Sequence, residues 1–263
     1  MPLKSDPRML PAAALLAAYL GAGCGLSFSH NAEARDEWTR QYDVEAGATL
    51  EIKNANGTID VREGDGAAIN VRAVRIVRTS TDAAAKAALA DFTIAESASA
   101  TRVVLDASGS SLGLTIGLSR RAEFEVTVPH GVAVVLTTAN GNITAAGITG
   151  RLEVKSTNGT VTASEVGGPV QAETTNGAVR IDLSSVAEGG VSCETTNGAV
   201  SVTLPRDAAA RLSARVSNGG ISASGLDLAV SQQSRQRLEA TLGGGGPTIR
   251  LETTNGAVRI NGK

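Results

Sequence analysis

Residues 152–204 read LEVKSTNGTVTASEVGGPVQAETTNGAVRIDLSSVAEGGVSCETTNGAVSVTL, and one pattern passes through this segment three times. Each pass centres on an Asn-Gly pair, at Asn158, Asn176 and Asn197, with aliphatic and polar residues alternating on either side. The same arrangement stands at Asn56, Asn140, Asn218 and Asn255. From Asn140 onward the intervals are 18, 18, 21, 21 and 37 residues, so the last spans about two periods and reads as a pair of units with one corner degraded. Aligned on the asparagine, four columns are apolar throughout. Six residues before it stand Leu50, Val134, Leu152, Val170, Val191, Leu212 and Ile249, and three after it Ile59, Ile143, Val161, Val179, Val200, Ile221 and Val258. The columns four before and five after behave alike. A period of two enriched in β-branched residues is the mark of strands with one face inward and one in water.

Asn and Gly both tolerate positive φ, so each pair is expected to form a sharp corner between two strands. One such unit buries too few side chains to fold alone, and stacking against its neighbours must supply the rest. Two architectures satisfy the pattern. In a β-solenoid each unit is a coil and equivalent residues lie in parallel ladders; in an antiparallel meander or sandwich each unit is a hairpin. Charges across the corner suit the hairpin, since Lys53 would face Asp60, Glu173 would face Arg180 and Glu252 would face Arg259. The solenoid would instead set Glu173 beside Glu194, relieved by Lys155 and Arg215, and would stack near-identical asparagines along one edge.

Outside the array the chain is less regular. Lys4 and Arg8 precede an apolar run from Met9 to Leu20, the form of an export signal and short for a membrane span. Ala32-Glu33-Ala34 offers a cleavage site after Ala34, while Gly21-Ala22-Gly23-Cys24 resembles a lipoprotein box that would make Cys24 a lipid-bearing anchor. Residues 1–34 are therefore read as a signal peptide or lipoprotein signal region. Residues 35–130 form an N-terminal β section that caps the array, and residues 131–263 form the Asn-Gly repeat array. Within the capping section strands are expected at Ile69 to Val77, Phe92 to Ala95, Arg102 to Leu105, Leu112 to Ile116 and Ala122 to Val128. A short helix is expected over Thr81 to Ala90, started by Thr81 or Asp82. Gln232 to Leu242 interrupts the repeat.

Reactive chemistry is sparse. A net charge of −2 lacks the basic face of nucleic-acid binders. His130 reads as a turn residue in Pro129-His130-Gly131, with no second histidine in the exported part to share a metal or nucleophilic site. Cys193 falls in an inward column beside Val154 and Ala172 and reads as a small core residue. Asp60, Asp182 and Asp227 occupy non-equivalent positions and form no carboxylate pair of glycosidase type. Gly243 to Gly246 lacks the Lys-Ser/Thr of a phosphate loop and reads as a tight bend. Trp38, Tyr42, Phe92 and Phe124, the aromatic residues beyond the export segment, lie outside the repeat, so recognition by the array would be polar.

The stretch FEVTVPHGVAVVLTTANGNITAAGITGRLEVKSTNGTVTASEV from Phe124, with GGGGPTIRLETTNGAVRI from Gly243, resembles the DUF4097 (Toastrack) family, which also carries an adhesin label. The marks are the strand ending in Val128-Pro129, the repeated Asn-Gly corners and the terminal Gly-rich segment. The resemblance implies a solenoid-like stack and a place near bacterial envelope and membrane-stress systems, and it brings no catalytic residues. The expected fold is thus all-β, a β-solenoid-like stack of strand, Asn-Gly, strand repeats with an irregular cap and one short helix. The expected function is that of a non-enzymatic exported envelope protein, a scaffold or adhesin-like surface whose partner is an envelope protein, glycan or lipid, with no cofactor, metal or nucleic acid. The alternatives are an accessory or sensor module of an envelope stress system and a glycan-active enzyme.

Overall fold

Alternation of aliphatic and polar residues becomes strand along nearly the whole chain. The computed structural model describes residues 32–109 and 117–263. The N-terminal section runs β1 (Ala32–Asp43), β2 (Thr49–Asn56), β3 (Ile59–Glu63), β4 (Ala68–Thr79), α1 (Asp82–Ala90), β5 (Ala95–Ser99), β6 (Arg102–Asp106) and β7 (Ser119–Val128). Four two-strand coils follow: β8 (Ala133–Asn140) with β9 (Ile143–Ala146), β10 (Leu152–Asn158) with β11 (Val161–Val166), β12 (Val170–Asn176) with β13 (Val179–Leu183), and β14 (Val191–Asn197) with β15 (Val200–Leu204). The chain ends with β16 (Ala210–Ser224), β17 (Leu228–Gln233), β18 (Arg237–Leu242) and β19 (Thr248–Gly262).

The strands before the asparagines make one wall and those after them make the other. In the first wall Leu50, Val134, Leu152, Val170 and Val191 lie side by side in parallel register. In the second wall Ile59, Ile143, Val161, Val179, Val200 and Val258 do the same, and each is at most 1% exposed. The two strands of a unit therefore belong to opposite walls and pair with neighbouring coils, so the fold is the solenoid. Lys53 meets Glu51 at 2.8 Å and Glu173 meets Lys155 at 2.9 Å, so neither turns to the cross-corner partner that the hairpin would give it. Glu173, Glu194 and Glu252 stand in register along one wall, flanked by Lys155 and Arg215.

The last coil of the sequence is not the last in space. β19 lies against β14 and β15 on one side and β16 on the other, so its corner Asn255 stands between Asn197 and Asn218. This corrects the reading of the 37-residue interval as two coils. The interval holds the hairpin β17–β18, which adds two strands beyond β16, and the Gly-rich bend with positive φ at Gly243, Gly245 and Gly246 that returns the chain to its slot.

At the opposite end β1, β4 and β7 form an antiparallel sheet, and β2 also pairs with β6. Helix α1 begins as expected: the Thr81 hydroxyl accepts from the Ala84 N–H at 3.3 Å. Phe92 to Ala95 is not a strand, because Phe92 and Ile94 turn into the core as plugs at 2% and 7% exposure and β5 starts only at Ala95. The expected strand over Leu112 to Ile116 lies outside the described residues. β1 was not anticipated, its alternation being masked by charges on its outward face.

Candidate functional site: the asparagine edge and the outer walls

The corner asparagines meet along one edge of the stack. Each side-chain Nδ2 donates to the Oδ1 of the next asparagine: Asn140 to Asn56, Asn158 to Asn140, Asn176 to Asn158 and Asn197 to Asn176, all at 2.9 Å. The ladder continues through Asn255 to Asn197 and is met from beyond by Asn218 to Asn255, both at 2.8 Å. At the near end Asn56 donates to the Arg120 carbonyl at 3.3 Å. A primary amide carries both a donor and an acceptor, and the strand spacing of about 4.8 Å lets one residue type fulfil both needs in every coil.

Beneath this edge lies a second column that sequence periodicity did not single out. Two residues before the asparagine, Thr138, Ser156, Thr174, Thr195 and Thr253 are buried. Four of these hydroxyls donate to a corner glycine carbonyl in the adjacent coil: Ser156 to Gly141 at 3.4 Å, Thr174 to Gly159 at 3.0 Å, Thr195 to Gly177 at 2.9 Å and Thr253 to Gly198 at 2.8 Å. The near-uniform Ser/Thr in this column was the signal. Thr138 is the exception: Asn54 in the preceding coil already reaches the Gly57 carbonyl at 3.3 Å, and the Thr138 hydroxyl is buried without a partner. Thr195→Val is expected to cost about 1 kcal/mol and Thr138→Val nothing or a slight gain, because only the first removes a formed hydrogen bond. Urea unfolding of the two variants checks the contrast.

The corner geometry differs from expectation. Gly57, Gly141 and Gly219 have the expected positive φ, but none of the seven asparagines does, nor do Gly159, Gly177, Gly198 and Gly256. Glycine is required there because the coils approach closely: a Cβ on Gly177 would stand 1.9 Å from the Gly159 carbonyl oxygen.

The outer face of the first wall carries a grid of charge. Arg250 meets Glu252 at 3.0 Å, Arg237 meets Glu239 at 3.2 Å, and Arg215 lies 3.8 Å from both Glu239 and Glu252. A shallow groove of about 560 Å³ crosses this region, lined by Glu194, Arg215, Ser217, Gln236, Arg250 and Thr254 among others. Guanidinium, carboxylate, amide and hydroxyl groups alternate along it.

At the edge opposite the asparagines His130 does have partners. Its Nδ1 lies 2.8 Å from Glu63 Oε1 and 3.2 Å from Thr149 Oγ1, while Thr149 donates its hydroxyl at 2.5 Å and its N–H at 3.0 Å to Glu63 Oε2. Thr149 thus spends its hydroxyl proton on the carboxylate rather than on the imidazole, an arrangement that braces the corner. Burial alone would raise the Glu63 carboxyl, but the two Thr149 hydrogen bonds and His130 outweigh it and hold it below its ordinary 4.5. A carboxylate lowered in this way stabilises the fold above its unfolded pKa, and the contribution is lost as pH falls through the folded value. The stability gap between the parent and Glu63→Gln, followed by urea midpoints, is therefore expected to be full above the unfolded carboxylate pKa of about 4.3 and to shrink as the pH is lowered below it.

Cys193 sits in the core as read, 1% exposed, with burial pushing its thiol up to about 12. Among the described residues Asp60 and Asp227 join no ion pair, and Asp182 receives Lys263 at 2.7 Å. Among the described residues no group of three or more His, Cys, Asp or Glu is placed to hold a metal, and no helix is long and apolar enough to cross a membrane. Cys24 and the apolar run lie outside the described residues. Ala32, Glu33 and Ala34 pair with Thr79, Arg78 and Val77, so a cut after Ala34 would remove the first three residues of β1.

A capped stack of coils with an asparagine-laddered edge defines the class, a β-solenoid repeat protein. The model of the Toastrack DUF4097 family matches residues 40–261, and the chain belongs to that family. Among solved structures, one described as "a putative cell adhesion protein" from Clostridium sporogenes is 14% identical, with a TM-score of 0.48 and coverage of 87% of this chain and 100% of that chain. Another, described as "a putative adhesin" from Bacteroides fragilis, is 12% identical, with a TM-score of 0.35 and coverage of 87% and 97%. No curated protein matches the chain.

Proposed function

We propose that this chain is an exported, non-enzymatic scaffold of the bacterial envelope whose first wall serves as a weak, adhesin-like binding surface for a polysaccharide. The single observation that carries the reading is the groove over Arg215, Arg250, Glu194 and Thr254, where donors and acceptors repeat at strand spacing on a rigid support. Adjacent sugar hydroxyls need donors and acceptors so alternated, and a regular wall repeats the contact along a polymer, giving avidity from individually weak sites. The export-type segment ahead of the array supports an envelope location, and Cys24 provides the anchor in this reading.

The test is binding of the purified protein to isolated envelope polysaccharides and, in parallel, to lipid vesicles. Retention on polysaccharide, reduced at least several-fold by Arg215→Ser with Arg250→Ser, supports the proposal. Binding to vesicles alone, or turnover of a glycan abolished by one carboxylate substitution, refutes it.

A further inference from the structure

The two ends of the stack are finished differently. At the N-terminal end the edge strand of the second wall is β1, which carries Arg35, Asp36, Glu37, Arg40 and Asp43. The edge strand of the first wall is β5. The two edges are clasped together: Glu96 of β5 accepts from Tyr42 at 2.5 Å and from Arg40 at 3.4 Å, both on β1. Charged, bridged edges resist pairing with another chain.

The other end has none of this. The second wall stops at the second half of β16, residues 218–224, which pairs with β19 alone. The first wall runs two strands further, through β18 to β17, whose outer edge pairs with nothing among the described residues. Neither edge carries a charge: one reads Asn-Gly-Gly-Ile-Ser-Ala-Ser and the other Leu-Ala-Val-Ser-Gln-Gln. No side-chain hydrogen bond or ion pair joins these two edges among the described residues. Inward positions are also uncovered. Val258 and Ile260 are fully buried in the neighbouring coil, whereas their counterparts Ile221 and Ala223 are partly exposed and exposed. Val230 on β17, level with buried Ala240, is 46% exposed.

We propose that this end docks a second copy of the same chain, the second half of β16 in each protomer pairing with β17 of its partner. Three features select that occupant. Strands of the first wall run towards the asparagine edge and those of the second run away from it, so a two-fold axis across the stack sets β16 antiparallel to the partner's β17. One wall is two strands longer than the other, so the long wall of each copy meets the short wall of its partner and both seams close together. Two uncharged edges can meet without repulsion, and the clasped N-terminal end offers no matching edge. The assembly is thus a closed dimer and not a filament.

The experiment measures the mass of the purified full-length chain by light scattering and sedimentation across a concentration series. The expected result is a concentration-dependent species of twice the monomer mass read at the lowest concentration. In the dimer, amide exchange should slow over residues 220–224 and 228–233 and nowhere in β1 or β5. Ala223→Arg with Val230→Arg should return a monomer whose thermal midpoint matches that of the parent diluted to its monomer. A chain that stays monomeric at all concentrations, a dimer indifferent to the double substitution, or growth into filaments would each overturn the proposal. None of these outcomes depends on polysaccharide binding, which is read by a different assay on the first wall.

Discussion

Replacing Gly177 with alanine should cost about 3 kcal/mol or more, among the larger effects available to a single methyl group in this protein. The new Cβ would fall 1.9 Å from the Gly159 carbonyl oxygen and 2.6 Å from its carbon. Those atoms are backbone, held by the Asn158–Asn176 bond above and the Thr174 hydroxyl below. Relief requires the coils to part, which stretches both ladders at once. The control is Gly66→Ala, where nothing stands within 4 Å of the added carbon and the change should stay within about 0.5 kcal/mol. Asn176→Ala falls between the two, at about 1–2 kcal/mol, since it removes two side-chain hydrogen bonds, to Asn158 and from Asn197, without a collision. Urea unfolding of the three variants gives the ranking. If Gly177→Ala were as mild as Gly66→Ala, the close approach of neighbouring coils would be wrong.

Leu251→Ala should lose about 2–5 kcal/mol and make Cys193 reactive. Leu251 is fully buried and stands in register between Cys193 of β14 and Ala214 of β16. With small residues on both sides the site cannot close over the space left behind, so the cavity persists. The thiol of Cys193, shielded in the parent, then meets water and reagent. Thiol labelling read peptide by peptide should rise at Cys193 alone. That readout also locates β19, because a final coil stacked in sequence order beyond β16 would place Leu251 out of reach of Cys193.

The inward columns were legible because a repeat compares itself with itself. Val161, Val179 and Val200 needed only internal alignment to be assigned to one ladder, and in the structure they share it. The choice between coil and hairpin was not legible from residues 53 and 60 or 173 and 180. Charge pairs across a corner and along a ladder use the same few side chains, and only the backbone decides between them. The reason for the corner glycines was only partly legible: Gly57, Gly141 and Gly219 take positive φ, whereas at Gly177 crowding excludes the side chain, and sequence does not tell torsion from crowding. The buried Thr174 and Thr195 were overlooked because hydroxyl residues count as polar in a periodicity, although a glycine carbonyl one coil away satisfies them. The place of β19 was hidden altogether, since interval lengths carry order along the chain and not order in space.

That placement has a consequence for how the molecule is completed. Three successive rungs of the asparagine ladder join residues 18 or 21 apart, whereas Asn255 reaches Asn197 across 58 residues. Closing the longer loop costs about 1 kcal/mol more in chain entropy, a small sum, but it cannot be met in chain order. The earlier coils can zip as soon as each neighbour is present, yet the wedge between β14 and β16 is supplied by β19, which follows both. Sealing of β14 and β16 into the stack therefore waits for β19.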